Sequence, residues 1–287
     1  MKIKLNVSFP NVLVGNLAHG LDARQKLSGM TILFVCFMGI FITGCTTEYN
    51  TALQRQETLM FNDDKEMNLG ASIVLSLEKT MKIDNEVDIN ARVEKILKQI
   101  VAVCDRKDLV YTIRVIDDKD TMNAFSLPGG YVYVYKGLID KMDNDDQVAG
   151  VIGHEVGHIV AKHALKRLQA AYGTTILEGA AIASRNGALA SGINLTASSI
   201  FFQNSREDEF QADRLGVKYM KLAGYDPRQM RVMLGKLLAE QYKKGPQPMS
   251  YWRTHPYIPQ RMAKVDAEAN GGKGQFKDYL NLTGEER

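Results

Sequence analysis

The chain has 287 residues, of which 45% are hydrophobic and 24% charged, with a formal net charge of +3. Lys2, Lys4, Arg24 and Lys26 against Asp22 place that whole excess in residues 1–44, so the remainder is neutral and lacks the basic footprint of a nucleic-acid binder. Cys36, Cys45 and Cys104 are too few for a disulfide framework, and residues 45–287 are long enough to stabilise one good core by packing alone.

Met30 to Ile42 is an apolar run of 13 residues, too short to span a bilayer and suited to the central region of a signal peptide. Ile42-Thr43-Gly44-Cys45 then reads as a bacterial lipobox, so residues 1–44 are expected to leave as a lipoprotein signal and Cys45 to carry the lipid. Thr46 in place of aspartate points to outer-membrane sorting in a Gram-negative cell, facing the periplasm. The apolar run is preceded by 29 residues, with Arg24 and Lys26 its useful charges, so translation is expected to begin at an internal non-Met codon upstream of Arg24. An uncleaved anchor is the competing reading. After processing, Cys104 would be the one remaining thiol.

Residues 45–65 are expected to form an N-terminal tether and helix, with helix running from Tyr49 to about Met81. Val87 to Val103 predicts a second, amphipathic helix with Val93, Ile96, Leu97 and Ile100 on one face. Val110 to Asp117 alternates as a strand, and Tyr131-Val132-Tyr133-Val134-Tyr135 is strongly strand-forming after the turn Pro128-Gly129-Gly130. That last strand fits either a sheet edge, where an extended peptide would add to it, or the sheet interior. Asn123 is either a substrate-binding side chain or a turn residue.

His154-Glu155-Val156-Gly157-His158 follows a helix start marked by Asn144 and Gln147, with Asp143, Asp145 and Asp146 favoured by the helix dipole. Lys162, Lys166 and Arg167 near the far end and Gly173 beyond predict that the helix continues almost to Gly173. Residues four apart share one face of a helix, so His154 and His158 can hold one zinc ion, and Glu155 stands where a carboxylate takes a proton from water. An accidental match on an ordinary amphipathic helix is the alternative. Gly150, Gly153 and Gly157 each cost about 1 kcal/mol against alanine, and together make a smooth stripe for close approach of another backbone.

A catalytic zinc site needs a third ligand and an open position. Ala161 and Ala164 stand where one common pattern has glycine and histidine, so that pattern fails. His163, about 140° around a continuous helix from His158, is not expected to bind the same ion. Residues 174–202, rich in Ala, Gly and Ser with Glu178 and Arg185 inside, argue against a transmembrane helix and fit packed short helices or a lid. Ser205 with Asp208 predicts a helix start and Gly224 with Pro227 its end. Glu209, Ala212, Asp213 and Gly216 share a face that can dock on the glycine stripe and deliver Glu209 to the metal. Glu209 otherwise only complements the dipole, and Asp213 either supports a ligand imidazole or forms a surface ion pair. His255 precedes Pro256 in a proline-rich loop, and Arg261 follows it. Residues 266–287 read as a polar tail, and no internal repeat or tandem helical array is present.

Together these motifs, from about Glu66 to Arg261, resemble the zinc metallopeptidase family that includes the CAAX prenyl endopeptidases, the HtpX-type membrane proteases and the bacterial β-barrel assembly-enhancing protease. The Ser-Arg-x-x-Glu-x-x-x-Asp segment at 205–213, Asn123-Ala124-Phe125 and Thr254-His255-Pro256 carry the likeness. The resemblance implies an α+β, mainly helical, zincin-like domain over residues 66–265 with a small sheet beside the active-site helix. It implies one zinc ion per chain held by His154, His158 and Glu209, with Glu155 as catalytic base. His255 would stabilise the oxyanion or add a metal ligand in a closed state, and Arg261 would fix its loop or bind developing charge. The implied activity is endoproteolysis of misfolded or misassembled envelope proteins; a rarely cutting assembly factor with a gated site, working with envelope assembly machinery, is the rival.

Overall fold

The structure is a computed structural model that describes residues 46–171, 204–245 and 249–271. The signal segment with Cys45, the 174–202 segment and residues 272–287 of the tail lie outside these described residues.

The first described element corrects an expectation. Tyr49 to Leu59 is not helical: β1 (Thr46–Asn50) and β2 (Arg55–Leu59) form an antiparallel hairpin. Asn50 Oδ1 accepts hydrogen bonds from the N–H groups of Ala52 and Leu53, both at 3.1 Å, a local turn that competes with helix, and Gln54 at φ 51° completes the reversal. Glu57 and Leu59 alternate inward along β2. Helix begins only at α1 (Asp63–Leu77), where Asn62 Oδ1 accepts the N–H of Lys65. α2 (Val87–Val101) buries Val93, Ile96, Leu97 and Ile100 as its periodicity requires.

β3 (Thr112–Ile116), β4 (Ala124–Leu127) and β5 (Tyr131–Tyr135) form a sheet in the order β3-β5-β4, with β5 parallel to β3 and antiparallel to β4. β5 is therefore the interior strand, and the edge reading of Tyr131 to Tyr135 fails. Val132, Tyr133, Val134 and Tyr135 are all buried, so both faces of the strand are covered. Tyr133 stacks on Phe125 of β4 with centroids 5.0 Å apart.

After α3 (Lys136–Ile139), α4 (Asp145–Val160) carries the histidine motif through the core, with all residues from Gln147 to Val160 buried. Asn144 Oδ1 caps it through the Gln147 N–H, while Gln147 Oε1 turns back to accept the N–H of Asp143. The helix ends at Val160 rather than near Gly173. Lys162 takes the left-handed conformation, φ 56°, and helix resumes over residues 163–171. No glycine announces this break; buried Lys162 is held in that strained backbone by Glu48 at 2.6 Å and Asp63 at 2.9 Å.

α5 (Arg206–Ala223), opened by the Ser205–Asp208 capping box and closed by left-handed Gly224, packs along α4. α6 (Arg228–Lys244), α7 (Tyr251–Thr254) and α8 (Ile258–Ala269) complete the helical layer. The glycine stripe sets the approach of α5. A Cβ at Gly157 would lie 2.7 Å from the Ala212 carbonyl oxygen, and one at Gly153 would lie 3.3 Å from that of Gly216. Among the described residues no helix is long and apolar enough to cross a membrane, and Cys104 is a buried free thiol.

Candidate active site

Four buried side chains converge where α4 and α5 cross: His154, His158, Glu209 and His255. His154 Nε2 lies 3.0 Å from His158 Nε2, 3.4 Å from Glu209 Oε2 and 3.3 Å from His255 Nδ1. Glu209 Oε1 lies 3.3 Å from His158 Nε2 and 3.0 Å from His255 Nδ1. Ligand atoms about 2.0–2.1 Å from a tetrahedral zinc stand roughly 3.3 Å from one another, so these separations are those of a zinc coordination shell. The donor set, three imidazoles and one carboxylate, is also that of zinc.

Each donor is held by a neighbour. Asp213 Oδ1 lies 2.8 Å from His154 Nδ1, the placement expected of a carboxylate supporting a ligand imidazole. Fully buried Arg261 bridges Glu209 and Asp213 of α5, with Nη1 2.7 Å from Glu209 Oε2 and both Nε and Nη2 donating to Asp213 at 2.7 Å. Nη1 also reaches the His255 carbonyl at 3.4 Å, so Arg261 touches the His255 loop as well as the two acids. Asn204 Nδ2 donates to Glu209 Oε1 at 2.6 Å, its Oδ1 accepts from Arg167, and its N–H is bonded to the Thr254 carbonyl. His163 Nδ1 lies 2.8 Å from His158 Nδ1.

The electrostatics follow from burial and these pairs. Burial and neighbouring His154 push His158 well below its usual value, so the imidazole is neutral, as a ligand must be. Burial and Arg261 also press on His154, but Asp213 and Glu209 outweigh them and raise it to about 9. Burial opposes the charge on Glu209, yet Arg261 and the surrounding histidines hold its carboxyl far below the usual range. Burial resists the charge on Asp213 too, and Arg261 with His154 keeps it ionised.

Glu155 stands beside this group, fully buried, with neither carboxylate oxygen hydrogen-bonded among the described residues. His255 Nε2 is 3.5 Å from its Oε1, too long for a bond. The same Nε2 lies 3.3 Å from the Ala124 carbonyl of β4, and the His255 ring stacks on Tyr251 at 4.4 Å. Asn123 acts as a strut: its Oδ1 accepts from the Ala124 N–H at 2.9 Å and from the Thr254 hydroxyl at 3.3 Å, and its Nδ2 has no partner among the described residues.

All the residues expected at the site from the described part of the chain thus meet there. Three contributors were not assigned to the site from the sequence: Asn204, Arg167 and His163. Asn204 directly precedes the capping serine, a position that gave it only a boundary role, and His163 was set aside on the assumption of an unbroken helix.

The wider comparisons agree with the geometry. Residues 88–269 match Peptidase family M48. The chain is 30% identical over 174 residues to the mitochondrial metalloendopeptidase OMA1 of Schizosaccharomyces pombe, covering 61% of this chain and 51% of that one. It is 25% identical over 217 residues to the β-barrel assembly-enhancing protease of Escherichia coli, covering 72% and 44%. It is 30% identical over 213 residues to OMA1 of Arabidopsis thaliana, covering 72% and 42%. The chain thus spans about half the length of these curated relatives. The family match takes in α4, α5 and α8 with their ligand group, and the chain belongs to peptidase family M48, whose members are zinc metallopeptidases.

Proposed function

We propose that this protein is a zinc-dependent endopeptidase of the bacterial cell envelope that degrades misfolded or misassembled proteins. The observation that carries the catalytic part is Glu155, a fully buried carboxylate with both oxygens free of hydrogen bonds among the described residues, beside a set of zinc donors. Such a group is costly to bury without a partner, and a catalytic role accounts for its being kept.

His154, His158 and Glu209 would hold the ion, with Asp213 and Arg261 fixing their orientation. Zinc, when bound, polarises the scissile carbonyl and acidifies an attacking water. Glu155 accepts the proton of that water and delivers it to the leaving amine nitrogen. The outer edge of β4 serves as the strand to which an extended substrate adds through main-chain hydrogen bonds, which suits unfolded chains of many sequences. Asn123 braces the start of that strand. Support for the envelope setting comes from the lipobox ending at Cys45, which would tether the protein to the outer membrane facing the periplasm, and from the similarity to a β-barrel assembly-enhancing protease.

One observation favours a second reading, an assembly factor whose protease site is gated. His255 Nδ1 fills the fourth corner of the ligand group, 3.3 Å from His154 Nε2 and 3.0 Å from Glu209 Oε1. A site with four protein ligands has no open position, so His255 must withdraw before water and substrate enter. Withdrawn, its imidazole would be available to stabilise the oxyanion.

Chelator-sensitive cleavage of an unfolded protein such as reduced casein, restored by zinc, tests the proposal. Zinc-loaded protein that leaves every unfolded substrate intact, both as wild type and as His255→Ala, would overturn it in favour of the assembly factor.

A further inference from the structure

We propose that His163 is a positioning residue that fixes the tautomer of His158, so that the lone pair of His158 Nε2 faces the metal. The inference rests on the reading of His154, His158 and Glu209 as zinc ligands, and goes beyond it to a residue outside that group.

The argument is one of hydrogen-bond direction. His158 Nδ1 and His163 Nδ1 are 2.8 Å apart and both rings are buried, so one nitrogen donates and the other accepts. The far nitrogen of His163 decides which. His163 Nε2 lies 3.3 Å from Gln211 Oε1 and 3.3 Å from Asp208 Oδ1. Both neighbours are oxygen atoms placed to accept, so His163 Nε2 carries the hydrogen. In the neutral ring Nδ1 is then the acceptor, and His158 Nδ1–H must be the donor. That leaves His158 Nε2 without hydrogen, pointing at His154 Nε2 and Glu209 Oε1, 3.0 Å and 3.3 Å away.

The two metal-facing histidines of α4 are therefore supported differently. His154 has a carboxylate, Asp213, behind it. His158 has a neutral imidazole, which orients the ring without adding negative charge to the ligand set. The break in α4 makes this possible. On a continuous helix His163 would lie about 140° from His158, but the left-handed turn at Lys162 swings it back alongside. Asp208 and Gln211 belong to α5, so the helix that delivers Glu209 also sets the hydrogen on His163.

The test compares His163→Leu, which removes the acceptor, with His163→Asn, whose Oδ1 restores one near the Nδ1 position. Zinc affinity of the purified full chains is read by competition with a chromophoric chelator. We expect His163→Leu to bind zinc about 10–100-fold more weakly than wild type, and His163→Asn to recover most of that loss. Equal affinity for wild type and His163→Leu, or no recovery in His163→Asn, overturns the inference while leaving the ligand assignment intact. If wild type itself binds no zinc, the ligand assignment falls and takes the inference with it. A measurement independent of folding is the ¹⁵N-detected protonation pattern of the zinc-loaded wild type. Hydrogen on His158 Nδ1 and His163 Nε2 supports the proposal; hydrogen on His163 Nδ1 overturns it.

Discussion

Arg261 shows how much of the site depends on single side chains. Its guanidinium is fully buried and faces Glu209 and Asp213 together, with Tyr251 hydroxyl 3.2 Å from Nη2. Removing one partner of a buried ion pair typically costs about 3–5 kcal/mol, because a charge is left without compensation. Arg261→Ala should lower the free energy of unfolding by that order in denaturant titration, and Arg261→Lys should recover only part, since an ammonium cannot make the forked contact with Asp213. A loss below about 1 kcal/mol would show that the acids do not depend on it. At this scale the sequence was most readable where helical spacing fixes neighbours. His154, Glu155 and His158 follow from their intervals, and Asp213 follows from Glu209 by one turn. Asn204 and His163 were not readable, because their partners lie across the fold: Glu209 for one, Asp208 and Gln211 for the other.

Elements bring those residues together through a contact that leaves no room for a methyl group. A Cβ at Gly157 would sit 2.7 Å from the Ala212 oxygen and 3.0 Å from its Cα, both backbone atoms that cannot swing aside. Gly157→Ala would gain about 1 kcal/mol in helix propensity, against a larger cost from overpacking that forces α5 away, together with Glu209. The variant should therefore unfold at lower denaturant and bind zinc more weakly than wild type; an unchanged zinc affinity would mean that α4 and α5 can separate without moving the ligands. The stripe of Gly150, Gly153 and Gly157 was legible for this reason. The β1–β2 hairpin was not. Its strands are mostly polar, with only Glu57 and Leu59 of β2 buried, so neither period stood out. The end of α4 was equally silent, since Lys162 takes its left-handed turn for the sake of distant Glu48 and Asp63.

For the molecule as a whole, ion pairs tie the N-terminal hairpin to the segment just beyond the metal helix. Glu57 Oε1 accepts from Lys166 Nζ at 2.6 Å and from Arg55 Nε at 2.9 Å. Burial alone would raise the Glu57 carboxyl, but Lys166, Arg55 and Asn50 outweigh it and bring the group below its ordinary 4.5. A carboxyl depressed in the folded state adds stability that is fully present above its unfolded value and is lost as pH falls through the folded one. The stability gap between wild type and Glu57→Gln should thus be constant above pH 4.5 and shrink below it, as thermal unfolding across acid pH would record. A gap that widens in acid would contradict this. The α+β class and the sheet beside α4 were legible in the order of elements. Which strand is interior was not, because β5 has the same composition whether its second face meets a neighbour or solvent.

The central claim is that Glu155 is the catalytic base at a zinc site built by His154, His158 and Glu209. Glu155→Gln keeps size and burial but removes the proton acceptor, so the measurement is its rate of cleavage of an unfolded protein, with bound zinc determined on the same sample. The account predicts full zinc occupancy and a rate lower by about 10²–10⁴-fold. Cleavage at the wild-type rate by zinc-loaded Glu155→Gln would contradict it.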